Sequence, residues 1–533
     1  MGQVLGIDLG TTFCAVAHLV GGKPATIANA EGELTTPSIV FFESENEVLV
    51  GREAKRVSLA EPGRAATDIK RYMGDEKYPK TFFGKQCSPV VLSAIIVKRL
   101  IQDAARQVGE IDGVVVTVPA YFDEGRRQAT AQAVEYAGVK VLDIINEPTA
   151  AALAFIYREI SAPEIDLERY AGGRGRPGNR HILVYDLGGG TFDVSLLRAG
   201  GTELTVLATT GDVRLGGRDW DERIYDHLAE AFAFMYRQDP REDPMSAQQL
   251  MMHAEELKKD LSRRQKSRYA VNHAGHSLTG ELTREVFEKL TAELLFRTES
   301  RIQRVMADAG FTWADIDEVL AVGGSTRMPQ VLRMLERVTG KKPNCSLSPD
   351  EAVAHGAAIH AAACALSLGA TDPRGEQWGE QAGKKMGAFI RGIQMTNVTS
   401  HSLGVVVHNK DGSKRVSKLI ARNSAVPASA MRSYGIVKAN QKSVSVEIVE
   451  GESDLPEECL PVGTVRIGEL PGGLPRGSPV EVTFRYDRSG RLEAHAVHTA
   501  SGKWAEATIE RRQGLSREMI QINRELLGKL VVS

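Results

Sequence analysis

The chain has 533 residues, too many for one compact core, so two to four domains are expected. Hydrophobic residues at 42% and charged residues at 25% exclude a fibrous or wholly disordered protein. With 66 basic and 68 acidic residues the formal charge is −2, which gives no global attraction to nucleic acid or to an anionic membrane, so partners must be recognised locally.

The first predicted element is a strand at Val4 to Ile7, with no basic n-region or long apolar run before it. Met1-Gly2 does not open a myristoylation signal, because Gly6 stands where Ser or Thr is needed. No uninterrupted apolar stretch is long enough to span a bilayer. The five cysteines, Cys14, Cys87, Cys345, Cys364 and Cys459, are scattered and contain no CxxC pair. A reducing cytoplasm is the expected compartment.

Residues 5–16, LGIDLGTTFCAV, and 183–194, LVYDLGGGTFDV, share one pattern: apolar strand, Asp, Leu-Gly turn, Thr, second strand. This predicts an internal duplication. The pair suits two phosphate clamps, because glycines at Gly10 and Gly188 to Gly190 let backbone N–H groups approach phosphate oxygens closely. Asp8 and Asp186 would hold a hydrated Mg²⁺, and Thr11, Thr12 and Thr191 would add hydroxyl contacts. A single such copy is equally a plain hairpin turn. No GxxxxGK[ST] occurs, so the lysine at the terminal phosphate must come from elsewhere, and Lys70 in TDIKRYMG is the candidate. Read without its relatives, that Lys-Arg pair is a solvated helix face.

In LDIINEPTAAALAF, Pro148 fits the first turn of a helix, leaving Glu147 at its mouth to cap it or to order a water molecule. Residues 159–180 are polar and rich in Gly and Arg. Gly173 to Gly178 formally match GxGxxG, but Pro177 and a following strand point to a surface loop rather than a dinucleotide site. In LAVGGSTRMP a buried strand ends in Gly323-Gly324 with Ser325 and Arg327, suited to backbone lying flat on a nucleotide and an Arg stacking on its base. The Ala-rich stretch 350–369 predicts a buried helix, and the polar residues after it a linker. From about 397, short β runs separated by KDGS, PGG and DRSG predict a compact sandwich, with a helical stub from Ser516 to Ser533.

GIDLGTTFCAV, VVVTVPAYFDEGRRQAT, IINEPTAAALAF, YDLGGGTFDVSLL, GDVRLGGRDWD and VLAVGGSTRMPQV, in this order, resemble the seventy-kilodalton heat-shock chaperone family of the DnaK type, from Gly6 to about Leu527. The resemblance implies an α/β actin-like, two-lobed ATPase domain (1–368), a linker (369–396), an all-β peptide-binding sandwich (397–510) and a short helical stub (511–533). It implies an ATP-dependent chaperone binding extended apolar segments, with ATP/ADP, Mg²⁺ and K⁺ as ligands. Asp8, Glu147, Asp186 and Asp193 would organise the ions and water, with Lys70 and Thr191 at the γ-phosphate. The nucleotide would also meet Gly10, Thr11, Thr12, Phe13, Gly188, Gly189, Gly190, Gly216, Gly217, Glu255, Lys258, Lys259, Ser262, Gly323, Gly324, Ser325, Arg327 and Asp350. Val416, Tyr434, Val437, Val444 and Val446 would line a peptide pocket, though the valines by themselves read as sandwich core. Pro119 and Arg127 match the family's relay between domains. A J-domain co-chaperone and a nucleotide exchange factor are the implied partners, with no nucleic acid and no membrane.

The chain departs from that pattern in three places. Residues 392–397 lack the family's leucine-rich linker run, on which docking to the ATPase domain would rest. Asp143 replaces an arginine and Asn397 an aspartate, so altered J-domain control is expected. About 17 residues follow Ser516 where the family adds a lid, so fast peptide exchange is expected. The competing readings are a nucleotide-gated, non-hydrolysing scaffold or exchange-factor-like relative, a sugar kinase and an actin-like filament protein. The intact set Asp8, Lys70, Glu147, Asp186, Thr191 and Asp193 speaks against the first. The β region after 397 speaks against the other two.

Overall fold

A computed structural model describes residues 2–161, 180–368, 382–409, 411–487, 492–509, 523, 527, 528 and 530–533. The Gly173 to Gly178 match lies outside them. Apolar runs without polar alternation form parallel strands buried on both faces. Thus β1 (Gln3–Leu9) forms a hairpin with β2 (Phe13–Val20), which pairs with β3 (Lys23–Thr26). On its other side β1 runs parallel to β4 (Ile111–Val118), which pairs with β5 (Val141–Asn146). The order is β5-β4-β1-β2-β3.

A second sheet repeats this design. Strand β6 (Arg180–Leu187) forms a hairpin with β7 (Phe192–Gly200), which continues to β8 (Glu203–Asp212), while β9 (Glu318–Val322) runs parallel to β6. The repeat predicted from the two Asp-Leu-Gly segments is therefore a repeat of sheet topology.

Three helices matter most to the first lobe: α1 (Pro89–Val108), α2 (Glu124–Tyr136) and α3 (Glu147–Ile160). In the second, α4 (Gly217–Tyr236) and α5 (Pro244–Arg263) border the cleft between the lobes. The Ala-rich stretch forms α6 (Ala352–Ser367), buried against α3 and β1. Its small residues are a steric requirement: a Cβ on Gly356 would meet the Ala150 carbonyl oxygen at 1.8 Å, and one on Gly6 the Ala358 nitrogen at 2.1 Å.

Within the stretch expected to be a linker, residues 382–392 form helix α7 (Ala382–Gly392), followed by strand β10 (Gln394–Thr396). Despite lacking the leucine run, β10 runs parallel to β8 and extends the second sheet. Docking is secured by main-chain hydrogen bonds, which are indifferent to side-chain identity.

Beyond β10, one four-stranded sheet contains β11 (Leu403–His408), β12 (Lys414–Ile420), β14 (Val444–Glu450) and β15 (Leu460–Ile467). The other contains β13 (Ala428–Gly435), β16 (Pro479–Tyr486), β17 (Leu492–His498) and β18 (Lys503–Ile509). Leu403, Val405, Ile448 and Val465 of one sheet share a core with Val482, Phe484, Leu492 and Ala494 of the other. This β region touches both lobes. Asn423 Oδ1 accepts from the Thr209 amide at 3.0 Å, Arg422 pairs with Asp308, and Ser400 Oγ donates to the Phe122 carbonyl at 3.2 Å.

The described residues near the C-terminus pack on the first lobe. Leu527 and Leu530 are buried in its core, and Lys98 of α1 donates to their carbonyls at 3.0 and 3.2 Å. Strand β19 (Val531–Val532) then runs parallel to strand Glu47–Val50, and the Val50 amide donates to the Ser533 carbonyl at 3.0 Å. Burying a leucine contributes about 1.5–3 kcal/mol, and a carboxylate at that position would be removed from water. Leu530→Asp is therefore expected to detach the segment and expose the Val50 amide to hydrogen exchange. Unchanged protection of that amide would show that β19 is held by something other than this anchor.

Candidate functional site

A cleft of about 490 Å³ opens between the two sheets, lined by the Asp8–Phe13 turn, the Asp186–Thr191 turn, Lys70, Glu147, α5 and the Gly323–Met328 segment. The Asp186–Thr191 turn packs backbone to backbone on the start of α4 and against the side chains of Thr11 and Thr12. The Gly217 amide donates to the Gly188 carbonyl at 2.9 Å and the Arg218 amide to that of Gly189 at 2.8 Å. A Cβ on Gly190 would meet the Thr11 side chain at 2.3 Å, and one on Gly216 the Gly190 nitrogen at 2.5 Å. Only glycine permits this approach, which leaves a cradle of backbone facing the cleft.

Lys70 comes from a 3₁₀ turn, Ile69–Tyr72, and its ammonium donates to Glu147 Oε1, with both side chains buried. Glu147 is the first residue of α3, as Pro148 predicted, so its carboxylate sits at the helix mouth. Asp8 accepts from Thr117 Oγ1 at 2.9 Å, and Asp193 Oδ1 accepts from the Tyr121 amide at 3.1 Å. Burial, and then repulsion from Glu147, pushes the Asp8 carboxyl up to about 7 and that of Asp193 to about 8. The same two causes, in the same order, hold Asp186 well above the ordinary carboxylate range. Lys70 is held above its usual value: burial opposes its charge, but Glu147 and Asp8 outweigh that. Thr11 Oγ1 and Asp193 Oδ2 are buried without a hydrogen-bond partner among the described residues.

Three buried carboxylates, Glu147, Asp186 and Asp193, and the partly buried Asp8 face one ammonium, and with orphaned oxygens beside them they form a site short of positive charge. Oxygen donors of this kind suit a hard divalent cation that keeps most of its water, and Asp8 and Asp186, one at each hairpin turn, could hold it.

Further along the cleft, α5 presents a charged face. Lys258 Nζ donates to the Gly217 carbonyl and to Asp221 Oδ2, both at 2.8 Å. Glu255 accepts from Lys259 at 2.7 Å and, across the cleft, from Lys55 at 2.8 Å. Both lysines lie over the Phe13 ring, 5.8 and 5.7 Å from its centre. Burial disfavours the Glu255 anion, but Lys55 and Lys259 overcome it and hold the carboxyl down at about 2. Ser262 Oγ donates to the Lys258 carbonyl, Ser325 Oγ to the Gly188 carbonyl at 2.9 Å, and Arg327 pairs with Asp350. The Lys55–Glu255 pair is a partly exposed bridge between lobes, worth about 1 kcal/mol. Lys55→Ala is expected to speed nucleotide release roughly fivefold, read as displacement of a fluorescent nucleotide; an unchanged rate would leave the bridge without a gating role.

The structure gathers all the predicted nucleotide residues around or beside this cleft, and adds others. Arg71 Nε donates to the Gly190 carbonyl at 3.0 Å and pairs with Asp219, while Asp221 anchors Lys258. Arg71 neighbours Lys70 in sequence, but nothing local distinguishes it from a solvated arginine. Thr117 and Tyr121 carried no local signal either, since their parts come from distant partners.

Pro119 and Arg127 flank a junction. The Pro119 carbonyl accepts from the Phe122 amide at 3.1 Å, closing a turn whose Tyr121 amide meets Asp193 and whose Tyr121 ring lies 4.3 Å from that of His401. Arg127 Nη1 donates at 2.6 Å to Asn146, the residue before Glu147. The five proposed peptide-pocket residues fall in different surroundings. Val446 is in the core of the β region and Val444 packs on it, whereas Val416 belongs to a separate cluster with Val449 and Cys459. Tyr434 packs on the core while donating to Ser417 Oγ at 3.0 Å, and Val437 is exposed.

A family model described as Hsp70 protein matches residues 4–526. The chain is 38% identical over 531 residues to the "Chaperone protein DnaK" of two strains of Halobacterium salinarum, covering 98% of this chain and 77% of each relative. It is also 38% identical over 546 residues to the protein of that description from Prochlorococcus marinus, covering 97% of this chain and 79% of the relative.

Proposed function

The chain belongs to the Hsp70 family, and from that premise we infer how its own residues carry out the family's work. It is an ATP-dependent molecular chaperone and an ATPase that binds ATP and ADP with Mg²⁺ and acts on unfolded polypeptides. The finer assignments below are our proposal, and the observation that carries them is the buried Lys70–Glu147 pair beside Asp8 and Asp186 in the cleft, with Asp193 near enough to feel the Glu147 charge.

Hydrolysis is in-line attack of water on the γ-phosphate, in which the protein supplies position and charge. Lys70 neutralises charge developing on the phosphoryl oxygens. Glu147, oriented by Lys70, orders the attacking water and accepts its hydrogen bond. Thr191 contacts the γ-phosphate through its hydroxyl, and the backbone amides of Gly189, Gly190, Thr11 and Thr12 cradle the chain of phosphates, while the Gly188 amide closes the turn on the Thr191 carbonyl at 3.0 Å. Asp8 and Asp186 would hold Mg²⁺ through water, and the ion when bound would supply positive charge against the phosphates. K⁺ is proposed beside it, because the carboxylates outnumber the ammonium. Glu255, Lys258, Lys259 and Ser262 flank the adenosine with Gly324, Ser325, Arg327 and Asp350.

The two four-stranded sheets after β10 are the proposed peptide-binding sandwich. The turn at Pro119 is the proposed relay, since it touches Asp193 on one side and His401 on the other. A J-domain co-chaperone and an exchange factor are proposed partners, with contacts altered at Asp143 and Asn397. Cytoplasmic residence is also proposed; no helix among the described residues is long and apolar enough to cross a membrane. Steady-state ATPase with and without an extended apolar peptide tests the reading. Hydrolysis that rises with peptide is expected. Hydrolysis indifferent to peptide would overturn the relay, and no hydrolysis at all would overturn the catalytic assignments.

A further inference from the structure

Strand β5 and helix α6 bring three chemically distinct donors together, none of which lines the nucleotide cleft. Asp143 Oδ2 lies 2.7 Å from His360 Nε2, and Cys364 Sγ lies 3.6 Å from the same nitrogen. The oxygen, nitrogen and sulfur are all within 4.8 Å of one another. His360 and Cys364 are one helical turn apart, so they share a face of α6. Asp143 approaches from the strand packed against that face.

Convergence on one nitrogen narrows the chemistry. A nucleophile–base relay would use both ring nitrogens, one for the thiol and the other for the orienting carboxylate. Here both partners meet Nε2, and His360 Nδ1 has no hydrogen-bond partner among the described residues. A carboxylate oxygen, an imidazole nitrogen and a sulfur aimed at one point form the donor set of a four-coordinate, borderline-soft cation. Around such an ion, Zn–N near ~2.0–2.1 Å and Zn–S near ~2.3 Å place neighbouring donors roughly 3.3–3.8 Å apart. The His360–Cys364 separation of 3.6 Å already matches. Only Asp143, the exposed member, must swing, and its exposure leaves an entry path beside the buried His360.

We propose that Asp143, His360 and Cys364 form a binding site for a divalent cation of the Zn²⁺ class, with water as fourth ligand. The ion takes the place of the proton shared at His360 Nε2, and the Cys364 thiol loses its proton to solvent. Occupancy ties β5 to α6 just before Glu147, the first residue of α3.

The test is titration of the full chain, saturated with ADP and Mg²⁺, with Co²⁺, whose bond to a thiolate produces a near-ultraviolet charge-transfer band. One equivalent is expected to produce the band, and Zn²⁺ to bleach it. Cys364→Ser and His360→Gln should each abolish it while leaving ADP binding intact, which establishes that the variants fold. Asp143→Asn should weaken Co²⁺ binding by at least the roughly ten- to hundredfold that loss of even an outer partner causes. Absence of the band in the unmodified protein would overturn the proposal. So would a band that survives Cys364→Ser, because it would then belong to another thiol such as the exposed Cys345.

Discussion

Lys70→Ala is expected to leave ATP bound and to lower its hydrolysis by roughly 10²–10³, the usual cost of removing one preorganised charge-stabilising group. The ammonium is buried and joined to Glu147, with Asp8 near enough to help hold its charge. Its loss would remove the cation proposed to face the γ-phosphate and free the Glu147 carboxylate from its orienting bond. Binding should survive, because the phosphate cradle is backbone and the α5 face contributes Glu255, Lys258 and Lys259 independently of Lys70. Single-turnover hydrolysis and equilibrium nucleotide binding, measured on one preparation, separate the two effects. Undiminished hydrolysis would remove Lys70 from the chemistry. Loss of both would make it a structural residue.

Arg422→Ala is expected to loosen the β region from the second lobe. The Arg422 side chain is 9% exposed and its partner Asp308 18%, so the pair is partly exposed. Such a pair is worth about 1 kcal/mol, and Arg304 still faces Asp308 at 3.0 Å when it is broken. A cost of ~1 kcal/mol shifts the docking equilibrium about fivefold. The adjacent bond from the Thr209 amide to Asn423 should open with it. The Thr209 amide should therefore exchange faster, and peptide should stimulate ATPase less while basal turnover persists. Protected Thr209 together with intact peptide stimulation would show that docking rests on β10 and the Tyr121–His401 contact instead.

What the sequence determined by itself was short-range. The paired Asp-Leu-Gly turns, the Pro148 helix start, the Ala-rich α6 and the strand alternation after 397 are each written within a dozen or so residues, where turn chemistry and periodicity act. The cleft ends at Asp8 and Asp186 were legible for that reason. Lys70 was not, because its partner Glu147 is 77 positions away and its local setting is that of any solvated lysine. Tertiary structure likewise decided that Gln394–Thr396 is a strand, since an open edge on β8 pairs with backbone whatever its side chains.

The same distinction separates the valines of the β region. Alternation assigns Val416 and Val446 to strands, but only packing puts Val446 in the shared core and Val416 in a satellite cluster. Asp143 and His360 stand 217 positions apart, and no local pattern marks them as neighbours. Local propensity fixes which segments become elements; the docking of elements, driven by burial and by the pairing of polar groups removed from water, fixes which side chains meet. Chemistry belongs to those meetings.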